Sequence, residues 1–329
     1  MKVYKNLHEQ IVSVENLFQA WEEFRRGKQA KPDVMKFERG LEENIFKLHH
    51  QLINNQYSHG SYHPFYITDP KLRLIHKALV RDRILHHAIF KILNPIFEPT
   101  FIANSFSCRV GKGTHRGVKT LAKSLLQVSK NNSGPCWALK CDIHKFFASM
   151  DHQILLKVLA ERIKDERAIA LLAQIINSFN TAGQPAKGLP IGNLTSQLFA
   201  NIYMNEFDQF VKHRLKVGHY VRYTDDFVIV AQTRSYLEEV LPEVRAFLRD
   251  SLKLELHPSK VIIRKYSTGV DFLGYVILPH HVRLRTKTKR RVLEKVNSEN
   301  LPSYLGVLSH ANSFDLEQKI LHKLNSEKE

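Results

Sequence analysis

Three aspartates stand where phosphate chemistry would need them. Tyr223-Thr224-Asp225-Asp226 lies between the apolar stretches of HYVRYTDDFVIVAQ, a pattern that places two carboxylates at the tip of a β-hairpin rather than on a solvated face. Asp142, 83 residues before Asp225, sits near the end of the apolar run 137–143, which reads as a buried strand. Two such strands side by side would bring the carboxylates together, and like charges that close need a cation. Oxygen-only ligands select hard divalent ions, so two Mg²⁺ ions, with Mn²⁺ able to substitute, are the expected cofactor. Such a pair can clamp the attacking and leaving oxygens of an in-line phosphoryl transfer, which is nucleotidyl transfer chemistry. In isolation, Asp225-Asp226 also fits an ordinary polar turn.

Composition narrows the partner. The 329 residues carry 49 Lys and Arg against 32 Asp and Glu, a formal charge of +17. Lys and Arg that neutralise phosphates release counterions, so a polyanion such as nucleic acid is the expected partner. Hydrophobic residues make up 43% of the chain and aromatics 10%, enough to bury a large core and to exclude a disordered basic tail. No apolar run approaches the roughly 20 residues that span a bilayer, so no membrane association and a cytoplasmic location are expected. Cys108, Cys136 and Cys141 are too few and too oddly spaced for a disulfide framework or a closed zinc site.

The elements that must position the aspartates follow from periodicity. Residues 1–60 read mostly as helix, with Val34, Phe37, Leu41, Ile45 and Leu48 at helical spacing. Residues 62–76 read as two short strands around a turn at Asp69-Pro70, and a basic helix covers about 81–93. After the acidic strand, Asp151 or Ser149 caps a helix to about residue 163, and a second covers 167–179. The turn-rich GQPAKGLPIGN precedes a long helix over about 195–215. A helix at 236–252 and strands near Val261, Phe272 and Val276 come next, and the remainder from Arg283 reads as basic helix. Helices backing an antiparallel sheet make an α+β, palm-like core.

Taken in order, these motifs resemble a reverse transcriptase over most of the chain from Lys71 onward. CDIHKFF is similar to the aspartate-bearing strand of that family, GLPIGNLTSQ to the glycine turn before a helix, and Tyr-Thr-Asp-Asp to the catalytic hairpin. Lys260 and Phe272-Leu273-Gly274-Tyr275 resemble the downstream lysine and the primer grip. The resemblance implies a right-hand polymerase fold that makes cDNA on an RNA template. Asp142, Asp225 and Asp226 would be the metal ligands, and Lys260 would protonate the leaving pyrophosphate. Phe147 would be the steric gate that rejects a 2′-hydroxyl; as residues alone, Phe146-Phe147 reads equally as core. Lys71 and Arg73, alternating on a strand, would hold the triphosphate of an incoming dNTP, with Ile191, Gly192 and Gln197 completing that site. Arg81, Arg83 and Arg109 resemble finger and palm positions that meet nucleic acid. The run Arg283, Arg285, Lys287, Lys289, Arg290 and Arg291 would track duplex phosphates from the thumb.

The expected organisation is an N-terminal helical extension at 1–60, fingers with the start of the palm at 61–135, palm at 136–280 and a basic helical thumb at 281–329. Residues 183–200 would contact the fingers. Ile191-Gly192 stands where many reverse transcriptases carry Gln-Gly, and Ile-Gly-x-x-x-Ser-Gln is similar to the enzymes of diversity-generating retroelements. That resemblance implies errors at template adenines, a structured non-coding RNA, a small basic accessory protein, and a bacterial or phage-encoded source. An antiphage-defence or group II intron-like reverse transcriptase is the alternative, and a catalytically idle RNA-binding protein of the same fold a further one. The retron hallmarks Asn-Ala-x-x-His and Val-Thr-Gly are absent.

Overall fold

The computed structural model describes residues 2–69 and 71–326; Pro70 of the expected Asp69-Pro70 turn, and the last three residues of the expected thumb range, lie outside them. Among the described residues nine strands form in chain order: β1 His63–Ile67, β2 Arg73–Lys77, β3 Trp137–Asp142, β4 His219–Tyr223, β5 Asp226–Ala231, β6 Ile262–Lys265, β7 Val270–Phe272, β8 Tyr275–Ile277 and β9 Val282–Leu284. The chain divides into two compact units, neither of them a continuous stretch. The first comprises Met1–Ile102, Ile143–Phe210 and Ala246–Glu255, and the second Ala103–Asp142, Val211–Arg245 and Leu256–Glu329.

The first unit is mainly helical. Helices Leu7–Val12, Val14–Arg25, Pro32–Glu38 and Leu41–Ile53 occupy its N-terminal part, as the periodicity predicts. Leu17, Ala20, Trp21 and Phe24 recur on one face of the Val14–Arg25 helix and are all buried, packing against the Val80–Phe97 helix. Full burial of each large apolar side chain there stabilises by about 1.5–3 kcal/mol. Asn16 donates from Nδ2 to the carbonyls of Ile11 and Ala88, which satisfies a buried amide between these helices. Asp151, rather than Ser149, caps the His152–Arg162 helix by accepting from the amides of Gln153 and Ile154. The β1–β2 hairpin is the only sheet of this unit among the described residues. Lys71 precedes β2, which begins at Arg73, so the two do not alternate on one strand.

The second unit is built on an antiparallel sheet of order β4-β5-β3-β6. Helix Thr114–Val128 packs on β4, β5 and β8. Its apolar positions Val118, Leu121, Leu125 and Val128 share a core with Ala138, Val221, Val228 and Val230. Periodicity did not predict this helix, because the glycines of RVGKGTHRG interrupt its start. A Cβ at Gly117, within this helix, would meet Leu273 Cδ1 at 3.3 Å, so that side chain would have to give by a few tenths of an ångström. Strands β7-β8-β9 make a separate three-stranded sheet. Arg283 lies in β9, not in a helix as expected, and helices Thr286–Lys295, Leu301–Leu308 and Phe314–Ser326 follow it. Val292, Leu308 and Ile320 carry these helices into the same core.

His86 and His87, on the Val80–Phe97 helix, are held neutral. Burial drives His86 well below the ordinary imidazole range, and His59, His87 and Arg83 add to it. Burial with Lys28 lowers His87 to about 4, against the opposing pull of Glu23. In the unfolded chain both bind protons below about pH 6.5, so their contribution to stability is complete above that pH and is lost as pH falls toward 4. Each histidine gives a slope of up to about 1.4 kcal/mol per pH unit. The urea midpoint is expected to fall between pH 6.5 and 4, and His87→Gln to flatten that fall. Identical slopes in the two proteins would remove the assignment.

Candidate active site

Strand register puts two of the three aspartates face to face. β3 and β5 pair antiparallel with Asp142 opposite Asp226, Lys140 opposite Val228 and Ala138 opposite Val230. Alternation along the strands therefore sets Ala138, Lys140, Asp142, Asp226, Val228 and Val230 on one face. β4 pairs with β5 so that Tyr223 faces Asp226, which leaves Thr224 and Asp225 as a two-residue turn. Thr224 takes the left-handed conformation, φ 57°. Asp226 thus begins a strand, and Asp225 alone of the pair sits in the turn.

A brace that the sequence did not announce holds this turn. Arg222, fully buried on β4, donates from its guanidinium to the Thr224 carbonyl at 3.0 Å. Thr224 Oγ1 donates to Ser107 Oγ at 2.6 Å, and the amides of Arg222 and Phe106 bond the carbonyls of Asn104 and Arg222. The segment around residues 104–107 therefore acts as a further rail beside the hairpin. Arg109 Nη1 donates to the Ser105 carbonyl, so the arginine expected on nucleic acid also supports this rail.

Electrostatics make the acidic end expensive without cations. Burial raises the Asp226 carboxyl to about 7; Lys140 opposes the rise, while Asp142, Asp225 and Asp271 add to it. Asp226 Oδ1 is buried with no hydrogen-bond partner, an acceptor that a cation would satisfy. Lys260 Nζ lies 2.7 Å from Asp142 Oδ2, which puts the expected lysine on the expected aspartate. Lys140 Nζ lies 3.7 Å from Asp226 Oδ2 and 3.4 Å from Asp271 Oδ1. Neither Lys140 nor Asp271 was expected from the sequence, although the i, i+2 spacing of Lys140 and Asp142 on a strand was the available signal. Among the described residues no three His, Cys, Asp or Glu side chains form a closed metal cage. The oxygen-only donor set and the unsatisfied Asp226 oxygen nevertheless fit a hard divalent ion.

In the first unit, the glycine turn is tied to β2. His76 N donates to the Ile191 carbonyl at 3.0 Å, and Asn193 Nδ2 donates to the His76 carbonyl at 2.8 Å. Gly192 has φ +106°, and a Cβ there would meet Ile75 Cγ2 at 2.6 Å, so glycine is needed twice over. Ile191 and Gln197 are half-buried, and Lys71 and Arg73 are exposed. Phe147 is half-buried while Phe146 is core, which separates the two rings that the sequence left equivalent. The Phe147 carbonyl accepts from Leu189 N. Arg81 bonds the Ser58 carbonyl, Gln51 and Asp82, and Arg83 bonds Asp33 at 2.5 Å, so both guanidiniums are engaged in bracing the fold.

In the second unit, Leu273 (φ 50°) and Gly274 (φ 90°) turn β7 into β8. Phe272 and Tyr275, on either side, are buried, and Tyr275 Oη donates to the Val307 carbonyl; they support the turn from below. Arg285 bonds Asp271. Of the expected basic run, Arg283, Lys287 and Arg290 are exposed, whereas Arg285, Lys289 and Arg291 are half-buried.

The family model for reverse transcriptase (RNA-dependent DNA polymerase) matches residues 68–277. The chain is 26% identical to protein YkfC of Escherichia coli K12, a match covering 79% of this chain and 78% of that protein. It is 25% identical to the group II intron-encoded protein LtrA of Lactococcus lactis subsp. cremoris, over 77% of this chain and 53% of LtrA, so it spans about half of that relative. Solved telomerase structures from Candida tropicalis and Candida albicans share the right-hand polymerase fold. Their TM-scores are 0.52 and 0.53, both at 12% identity, with 72% and 80% of this chain and 59% and 53% of theirs covered.

Gly192→Ala is expected to lower stability by about 1–3 kcal/mol through its backbone conformation alone, with the contact on Ile75 in addition. In urea denaturation, Ile75→Ala in the same chain should recover part of the loss. Complete recovery would show that the positive φ carries no strain.

Proposed function

Because the chain belongs to the reverse transcriptase family, we propose that it copies an RNA template into DNA, adding dNTPs to a primer 3′ end. The observation that carries this reading is the Asp142–Asp226 register pair on one face of the sheet, with Asp225 in the adjoining turn. Asp142, Asp225 and Asp226 are the residues that would hold Mg²⁺ ions, which when bound neutralise charge on the attacking and leaving oxygens. Lys260, resting on Asp142, has a mobile ammonium whose Nζ can give a proton to the departing pyrophosphate. In this reading Lys71 and Arg73 take the triphosphate, and Phe147 excludes the 2′-hydroxyl. Gly192 and Gln197 serve the same nucleotide. The Leu273-Gly274 turn meets the primer. Arg109, Arg283, Lys287, Lys289, Arg290 and Arg291 meet template–primer phosphates, and Arg81 and Arg83 have no place in it. The ranges for extension, fingers, palm and thumb are proposed as the sequence drew them.

The finer reading is a polymerase of a diversity-generating retroelement, error-prone at template adenines, working with a structured RNA and a basic accessory protein. Ile191 supports it: an apolar side chain cannot hydrogen-bond a substrate as Gln does, so mispaired geometries are less well rejected. A group II intron-type enzyme is the second reading, favoured by the likeness to an intron-encoded protein.

On an RNA template with a DNA primer, Mg²⁺ and dNTPs, the protein is expected to extend the primer and Asp225→Ala to be inactive. Equal incorporation by both would overturn the assignment. Sequenced products should show misincorporation concentrated opposite template adenine, and Ile191→Gln should reduce it; an unchanged error spectrum would favour the intron-type reading.

A further inference from the structure

A chain of alternating charges leads from the acidic end of the sheet into the sheet that carries the Leu273-Gly274 turn. Lys140 stands two residues before Asp142 on β3, on the same face. Its ammonium lies between two carboxylates from different sheets, 3.7 Å from Asp226 on β5 and 3.4 Å from Asp271 on β7. Asp271 is also bonded by Arg285. The Arg285 amide in turn donates to the Gly274 carbonyl at 2.9 Å, and Thr288 Oγ1 reaches the same oxygen. Arg285 is the residue from which the basic helix Thr286–Lys295 starts. Every group in this chain belongs to the second unit, and Lys140 and Asp226 are each only about one fifth exposed.

We propose that Lys140 is a positioning residue, whose bridge between Asp226 and Asp271 locks the metal-site end of the sheet to the turn that meets the primer end. The inference rests on the polymerase reading. Asp226 offers Oδ2 to Lys140 and leaves Oδ1 without a partner, so one oxygen is spent on orientation while the other stays available. The same ammonium fixes Asp271, and Asp271 through Arg285 fixes the backbone of Gly274. One cation therefore sets the spacing between the carboxylates and the primer-facing turn. An apolar residue at 140 would fill the space, leave Asp226 without its cation and leave Asp271 to Arg285 alone. Arg retains the charge and two donors, so it preserves the bridge.

The test uses the full chain bound to an RNA template and a primer ending in 2-aminopurine. Single-nucleotide incorporation and, separately in EDTA, fluorescence of the primer terminus are measured. Lys140→Met is expected to lower kcat about 10–100-fold, the range for losing a group that orients a metal ligand, and to raise terminal fluorescence in EDTA as the primer end loosens. Lys140→Arg is expected to recover most of both. Asp271→Asn should reproduce the Lys140→Met effects, and the double variant should lose no more than either single, because both act through one bridge. Parent-like kcat and fluorescence in Lys140→Met, or additive losses in the double variant, would overturn the proposal. If the parent itself fails to extend the primer, the polymerase reading fails with it; extension by the parent but not by Asp225→Ala, with Lys140→Met parent-like, sinks the bridge alone.

Discussion

Antiparallel pairing of β3 with β5 is the constraint on which the acidic site depends. It sets Asp142 and Asp226 opposite each other, a placement that strand pairing ordinarily avoids because like charges directly across a ladder are destabilising. A one-residue slip would send every side chain of one strand to the other face, carrying its aspartate away from its partner. Register is held by the apolar residues behind them, Ala138, Val228 and Val230, which share one core with the Thr114–Val128 helix and the three-stranded sheet. Packing thus stabilises an arrangement that electrostatics opposes.

The opposition is partly met by the protein's own cations. Lys260 covers Asp142 and Lys140 covers Asp226, yet the Asp226 carboxyl is still raised to about 7 by burial and its acidic neighbours. A buried oxygen without a donor remains. The basic residues behind the +17 formal charge thus include cations committed to this acidic end, Lys140 and Lys260, as well as exposed ones such as Arg283, Lys287 and Arg290. The turn that carries Asp225 is fixed independently by buried Arg222 and by Ser107, so its shape does not depend on a bound ion.

The aspartates were legible because an apolar strand that ends in a carboxylate is costly unless a cation meets it, and the order of motifs along the chain supplied the family. The glycine turn was legible for a similar reason, and Gly192 indeed has the positive φ that only glycine takes easily. Side-chain partners were not. Arg81 and Arg83 look like a basic helix face in one dimension, but Asp33, Asp82 and the Ser58 carbonyl fold back onto them. The burial of Arg222 goes with the 104–107 segment bonded beside it, a pairing between distant parts of the chain that carries no local signature. The Thr114–Val128 helix follows closely spaced glycines, and the partner of Lys140, Asp271 on β7, lies 131 residues away along the chain.

If β3 and β5 build a divalent-ion site from Asp142, Asp225 and Asp226, the ions themselves can be located. Anomalous diffraction from crystals of the protein with an RNA–primer hybrid, a non-hydrolysable dNTP and Mn²⁺ does so. Mn²⁺ peaks are expected bonded to these carboxylates at about 2.1–2.2 Å, close to the Mg²⁺–oxygen spacing, with Lys260 released from Asp142. Peaks confined to other residues, with Lys260 still on Asp142, would refute the site.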